Sequence, residues 1–149
     1  MSSALAHHYF GGKDQIFEAA MRQILRDYSA EVRAALASAT DPAARARAII
    51  RANFAQSCFD PAAVSAWMTF YAKAQTNPEA LRLLRTYQRR LRSNLINALR
   101  ALCDNPESVA DTLAALIDGL YIRAALTAPD ANPEGCALAA LKTLTKGAA

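Results

Sequence analysis

Few residues in this chain have the types and spacing that chemistry requires. His7 and His8 stand side by side, so on a helix they point in different directions, and no cysteine or carboxylate stands at ligand spacing from them. Cys58, Cys103 and Cys136 form no C-x-x-C pair; three such thiols read as buried and reduced, not as a disulfide frame or a zinc site. There is no Ser/His/Asp order, no H-E-x-x-H and no phosphate loop. An enzyme is therefore not expected, and no cofactor or metal is implied. What remains is aromatic and acidic. Trp67 and Tyr71 are four apart, hence on one helix face, with Phe70 adjacent. Asp118 and Tyr121 are three apart in a later apolar segment. Aromatics at helical spacing build a core or line a binding face. Phe54, Phe59 and Phe70 suit a plain core, whereas the polar tips of Trp67 and Tyr71 need partners. Asp118 needs one too, either an arginine such as Arg123 or Arg92 or a bound ligand.

The elements that must position these residues are helices. The chain has 149 residues, 53% hydrophobic and 20% charged, which is enough for one core and too little for two ordinary domains. Alanine supplies 35 positions and glycine only 5, so the expected class is all-α. Five of the six prolines follow Asp or Asn: Asp41-Pro42, Asp60-Pro61, Asn77-Pro78, Asn105-Pro106 and Asn132-Pro133. Each pair marks a helix start, because the side chain accepts a bond from an orphan N–H and proline at the first helical position has none to lose. The helices read from these signals are roughly 2–9, 13–38, 42–57, 61–75, 78–103, 106–127 and 133–146. The net charge of +4 permits nucleic-acid contact without requiring it. No leader pattern or membrane-spanning run is read, so no membrane contact and a cytoplasmic location are expected.

Helix 106–127 is apolar nearly all round, with small residues at Ala110, Ala114, Ala115, Gly119, Ala124 and Ala125. A helix of that kind must be covered on every side. Helix 133–146 offers Ala137, Leu138, Ala140, Leu141 and Leu144. A homodimer joined through helices 106–127 and 133–146 is expected, as a symmetric four-helix interface.

The stretch Ser2-Ser3-Ala4-Leu5-Ala6-His7-His8-Tyr9-Phe10-Gly11-Gly12-Lys13-Asp14 resembles the recognition helix and following turn of TetR-family transcriptional regulators. Within that family, His8-Tyr9-Phe10 with Gly12-Lys13-Asp14, Glu18 to Arg22, Ala66 to Ala72, Arg89 to Leu95 and Leu116 to Leu126 are similar to BetI-type repressors. The resemblance covers almost the whole chain. It implies a TetR-like effector-binding helical domain over residues 13–149, preceded at residues 1–12 by a remnant of the helix-turn-helix. Ser2, Ser3, His7, His8, Tyr9 and Lys13 are then the candidate DNA contacts, and the helix start at Lys13 is expected to face a phosphate.

The resemblance also implies what the chain does. The full-length parent is expected to be a repressor, binding operator DNA and sensing choline or a relative such as betaine aldehyde. A quaternary ammonium donates no hydrogen bond, so aromatic faces and a carboxylate must hold it. The candidate ligand residues are Trp67, Phe70, Tyr71 and Tyr121, with Asp118 as countercharge and Asn94 for a hydroxyl. The family places two helices ahead of the recognition helix, and this sequence starts inside the motif. A mis-assigned start, with a valine codon taken as Met1, would produce that. DNA binding by the chain as it stands is not expected. The alternative is a dimeric helical module that binds ligand or a partner subunit without DNA.

Overall fold

The computed structural model describes the backbone of residues 3–128 and 130–145, and side chains from residue 12 onward within that range. It has six α-helices: α1 (Ser3–Ala37), α2 (Pro42–Asn53), α3 (Pro61–Lys73), α4 (Pro78–Leu99), α5 (Pro106–Leu126) and α6 (Pro133–Thr145), with a 3-10 turn at Gln56–Phe59. No strand occurs among the described residues, and none of their helices is long and apolar enough to cross a membrane. The Asx-Pro signals mark every start from α2 to α6. Asp41 accepts from the Ala44 N–H at 2.7 Å, and Asn77 from Glu79 and Ala80 at 2.9 and 3.0 Å. Asn105 accepts from Ser108 at 3.2 Å, and Asn132 from Gly135 at 2.8 Å. A Cβ at Gly135 would lie 2.4 Å from Asn132 Nδ2, so a larger residue there would make the capping side chain shift. Asp60 makes no side-chain cap bond, and Pro61 alone marks that start.

The expected break before Lys13 is absent: α1 runs unbroken through Gly11 and Gly12. Glycine costs about 1 kcal/mol relative to alanine inside a helix, and the helix formers on both sides outweigh two of them. The remaining differences lie at helix ends. α2 stops at Asn53, four residues early, and the chain tightens into the 3-10 turn.

The helices are held by one apolar core. Phe70, Met21, Ile49, Ile50, Leu91, Leu95, Leu99, Leu113 and Ile117 are its fully buried large side chains. In α4 the buried positions Leu84, Tyr87, Leu91 and Leu95 recur at three- and four-residue steps. Its arginines at 82, 85, 89, 90 and 92, and Arg100 just past its end, are all exposed. α5 buries one face, Ala110, Leu113, Ile117, Tyr121 and Ala124, against its own chain, where it packs on α4 and α6. On its other sides Leu116, Leu120 and Ile122 are half-buried and Leu126 is 57% exposed. In α6, Ala137 and Leu141 turn inward and are used within the chain. Cys58 and Cys103 are half-buried free thiols. Cys136, expected to be buried, is exposed, because the inward face of α6 is set by Ala137 and Leu141.

An acidic aromatic cavity among five helices

A cavity of about 230 Å3 opens between α1, the end of α2, the 3-10 turn, α3, α4 and α5. Tyr28, Asn53 and Tyr87 come from helix faces already committed to the core. Tyr28 lies four residues from Ile24 and from the buried Val32 on α1. Asn53 lies four from Ile49 on α2, and Tyr87 four from Leu91 and Leu83 on α4. A polar-tipped side chain on such a face reaches inward and must find a partner there. Asn53 is the polar side chain in the buried set.

These partners form three short sets of hydrogen bonds. The Tyr28 hydroxyl donates to Asn53 Oδ1 at 2.9 Å. The Tyr87 hydroxyl lies 3.1 Å from Asp118 Oδ1 and 3.4 Å from Asn53 Oδ1, and its single proton favours the shorter, charged acceptor. Asn53 Nδ2 donates to the Ile49 carbonyl at 2.8 Å. Tyr121 donates to the Cys58 carbonyl at 2.8 Å, which pins the 3-10 turn to α5. The rings pack closely: Trp67 lies 5.1 Å from Tyr87 and 6.1 Å from Tyr71, and Tyr28 lies 5.5 Å from Tyr87, edge-on.

Charge in the cavity has one sign. Asp118, Asp27 and Glu31 line it, and no Lys or Arg among the described residues does. Burial holds the Asp118 carboxyl above its ordinary pKa, and donation from Tyr87 partly opposes that. Burial likewise raises the Tyr28, Tyr71 and Tyr87 phenols, and pushes Tyr121 up to about 12. All four tyrosines stay neutral at physiological pH. The Cys58 thiol is pushed up to about 11, by burial first and then by the Glu31 charge, so it is not a nucleophile. Five aromatic side chains and a half-buried carboxylate, with no described basic side chain among them, are chemically suited to a small positively charged ligand. The volume lies below the roughly 300–1,000 Å3 of sites for drug-sized molecules.

Of the six ligand residues expected from sequence, Trp67, Tyr71, Asp118 and Tyr121 line this cavity. Phe70 does not: it is fully buried between Phe17 and Trp67, at ring distances of 6.3 and 5.7 Å. Asn94 does not either. It borders a separate groove with Arg33 and Arg90, and Asn53 supplies the cavity's amide instead. Asp118 also lacks the arginine considered for it. Arg92 is taken by Asp111 at 2.5 Å, and Arg123 is exposed. Tyr28, Asn53, Tyr87, Asp27 and Glu31 were not read as site residues. For the first three, a polar tip on a core-facing position was the available signal.

For the DNA contacts, Ser2 and the side chains of Ser3, His7, His8 and Tyr9 lie outside the described residues. Lys13 is exposed on α1. Because α1 is continuous, the backbone N–H groups near Lys13 are inside the helix and form no phosphate-binding terminus. Among the described residues no group of His, Cys, Asp and Glu could hold a metal ion.

The fold is shared with solved transcriptional regulators. A transcriptional regulator from Pseudomonas aeruginosa PAO1 superposes with a TM-score of 0.81 at 24% identity, over 99% of this chain and 76% of that one. One from Saccharomonospora viridis, in complex with choline, has a TM-score of 0.70 at 18% identity, over 95% of this chain and 78% of that one. The sequence narrows the class further. The family described as "BetI-type transcriptional repressor, C-terminal" matches residues 42–147. The chain is 48% identical to the HTH-type transcriptional regulator BetI of Rhizobium meliloti (strain 1021) over 128 residues, 85% of this chain and 63% of that protein. It is 47% identical to the BetI regulator of Brucella canis over 135 residues, 88% of this chain and 68% of that protein. The chain belongs to the BetI-type branch of the TetR family, a family of regulators and not of enzymes. It spans about two thirds of the length of these relatives.

Proposed function

We propose that this chain is the effector-sensing part of a transcriptional repressor, and that its effector is a small quaternary-ammonium cation such as choline or betaine aldehyde. The observation that carries this reading is the lining itself: Tyr28, Trp67, Tyr71, Tyr87 and Tyr121, three carboxylates and, among the described residues, no basic side chain. Trimethylammonium is apolar in shape and positive in charge, so it gains from both. The choline complex of the Saccharomonospora neighbour has the same ligand chemistry. Calorimetry on this chain tests it. Choline is expected to give saturable heat. The uncharged analogue with carbon in place of nitrogen is expected to bind at least about 30-fold more weakly, about 2 kcal/mol. Equal binding of the two, or no heat from choline, rejects the reading.

In the parent protein, residues 1–12 belong to the DNA-reading head, with Ser2, Ser3, His7, His8, Tyr9 and Lys13 at operator DNA. α1 continues from that segment into the cavity wall, where it places Asp27, Tyr28 and Glu31. Two copies join through the outer faces of α5 and α6. The support is Leu126, exposed near the end of α5, and the half-buried Leu116 on the same helix. Sedimentation equilibrium at micromolar concentration is expected to give twice the 16.0 kDa chain mass, and Leu126→Glu to shift it toward one chain. A single-chain mass for the unaltered protein removes this interface.

A further inference from the structure

The outer face of α4 carries charge that the chain itself does not satisfy. Arg82, Arg85, Arg89 and Arg92 follow one another at steps of three, four and three. They therefore stand in one row about 15 Å long, turned away from Tyr87, Leu91 and the rest of the buried face. All four are exposed, and they border one groove of about 630 Å3. The two ends of the row are neutralised within the chain. Arg82 donates to both Glu79 oxygens at 2.7 and 2.8 Å, and Arg92 to both Asp111 oxygens at 2.5 and 3.3 Å. The middle is not neutralised. Arg85 has no ion-pair or hydrogen-bond partner among the described residues, and Arg89 reaches only the Thr86 hydroxyl, at 3.4 Å. Like charges one turn apart repel, and an anion set beside them removes that cost. The groove also has an apolar side. Pro78 and the half-buried Leu81 border it, and the methylene stems of the arginines extend it.

We propose that this face docks an acidic amphipathic helix of another protein, whose carboxylates at steps of three and four meet Arg85 and Arg89 and whose apolar side chains rest on Leu81 and Pro78. The surface is apart from the cavity and shares no lining residue with it. Charge and spacing choose this occupant. A guanidinium fork matches a carboxylate in two parallel hydrogen bonds, the arrangement that Glu79 and Asp111 already make at the ends of the row. A helix laid along α4 repeats its side chains at the same rhythm, so its acids come into register with the arginines. It can also set uncharged residues opposite Glu79 and Asp111. A nucleic-acid strand cannot, because it brings a negative charge at every step and would carry some of them past those carboxylates. A second copy of this chain, docked face to face, would set arginine against arginine.

Three labelled peptides test this by fluorescence anisotropy on the chain at low salt, where charge pairing is least screened. Each is about 20 residues long and alanine-rich, so that it is helical alone. The first carries glutamates at steps of three and four along one face, with leucines beside them. The second has the same composition with the glutamates spread around the helix. The third is the first with lysine in place of glutamate. The first is expected to bind at least about tenfold more tightly than the second, and the third not to bind. Arg85→Glu with Arg89→Glu is expected to lose the first peptide and gain the third, an exchange that no loss of folding can produce. Both side chains are exposed, so circular dichroism should show unchanged helix content. Equal binding of the two acidic peptides reduces the row to unspecific charge and overturns the proposal. So does binding that survives the double variant, or the absence of binding by any peptide. A single-stranded DNA of about 20 nucleotides that binds more tightly than the first peptide overturns it in favour of nucleic acid.

Discussion

Asp118→Asn is expected to weaken choline binding by about 30- to 150-fold while making the ligand-free protein more stable. The two effects have one cause. Asp118 is a half-buried carboxylate whose hydrogen-bond partner, Tyr87, brings no positive charge. A cation arriving about 4–5 Å away gains about 2–3 kcal/mol from it, after allowance for an effective dielectric near 20 and partial screening by solvent. Without the cation the same charge is a burden. Burial raises the folded-state pKa above the ordinary value, so the folded protein takes up a proton more readily than the unfolded chain. For the wild type this means stability is gained as pH falls from neutral through the raised pKa, and the gain is complete below the unfolded value. Asparagine keeps the acceptor for Tyr87 and removes the charge. At neutral pH its melting temperature should exceed that of the wild type by about 2–4 °C, the effect of about 1 kcal/mol in a domain of this size. The difference should shrink as the pH is lowered toward the ordinary carboxylate range. Saturating choline should reverse the order, because ligand at 100 times its Kd stabilises the wild type by about 2.7 kcal/mol and barely affects the variant. Choline affinity of the wild type should fall with acidification while that of the variant stays flat. A variant that binds choline normally, or that is destabilised at neutral pH, removes Asp118 as the countercharge.

The frame was legible in the sequence because its signals are local. Asx-Pro pairs act through one side chain and the next three backbone N–H groups, and they mark α2 to α6 without reference to the rest of the chain. The site was legible only where two residues on one helix announced each other. Trp67 with Tyr71, and Asp118 with Tyr121, are such pairs, and all four reach the cavity. Tyr28, Asn53 and Tyr87 are single residues on three different helices, and the hydrogen bonds that hold them, Tyr28 to Asn53 and Tyr87 to Asp118, span 25 and 31 positions. No spacing rule sees such a set. The partner of Asp118 was missed for a related reason. Charge matching favours arginine, yet the nearest hydroxyl serves and leaves the charge available. The break expected between helices 2–9 and 13–38 is absent because local propensity at Gly11-Gly12 is too weak to end a helix.

Phe70→Ala is expected to cost about 3–5 kcal/mol, the range for removing a large aromatic from a packed interior. Phe70 is fully buried, and its ring lies between Phe17 of α1 and Trp67 of α3. The same corner holds an ion pair between Lys73 and Asp14, and the Lys73 ammonium lies 5.2 Å from the Phe17 ring. Both groups of that pair are partly solvated, so the pair contributes little and cannot replace the lost packing. Set against a total stability of about 5–15 kcal/mol, the loss should lower the melting temperature by about 10 °C or more, and ligand binding would fall with the fold. Alanine therefore cannot distinguish a core residue from a ligand contact, and leucine can. Phe70→Leu keeps most of the volume and is expected to cost about 1–2 kcal/mol. Because Phe70 lies outside the cavity wall, choline affinity of this folded variant should stay within about threefold of the wild type. Trp67→Leu, which removes a ring from the wall itself, should lose at least about tenfold. Melting and calorimetry on the two leucine variants side by side decide the matter: a folded Phe70→Leu protein that no longer binds choline would place the Phe70 ring against the ligand after all.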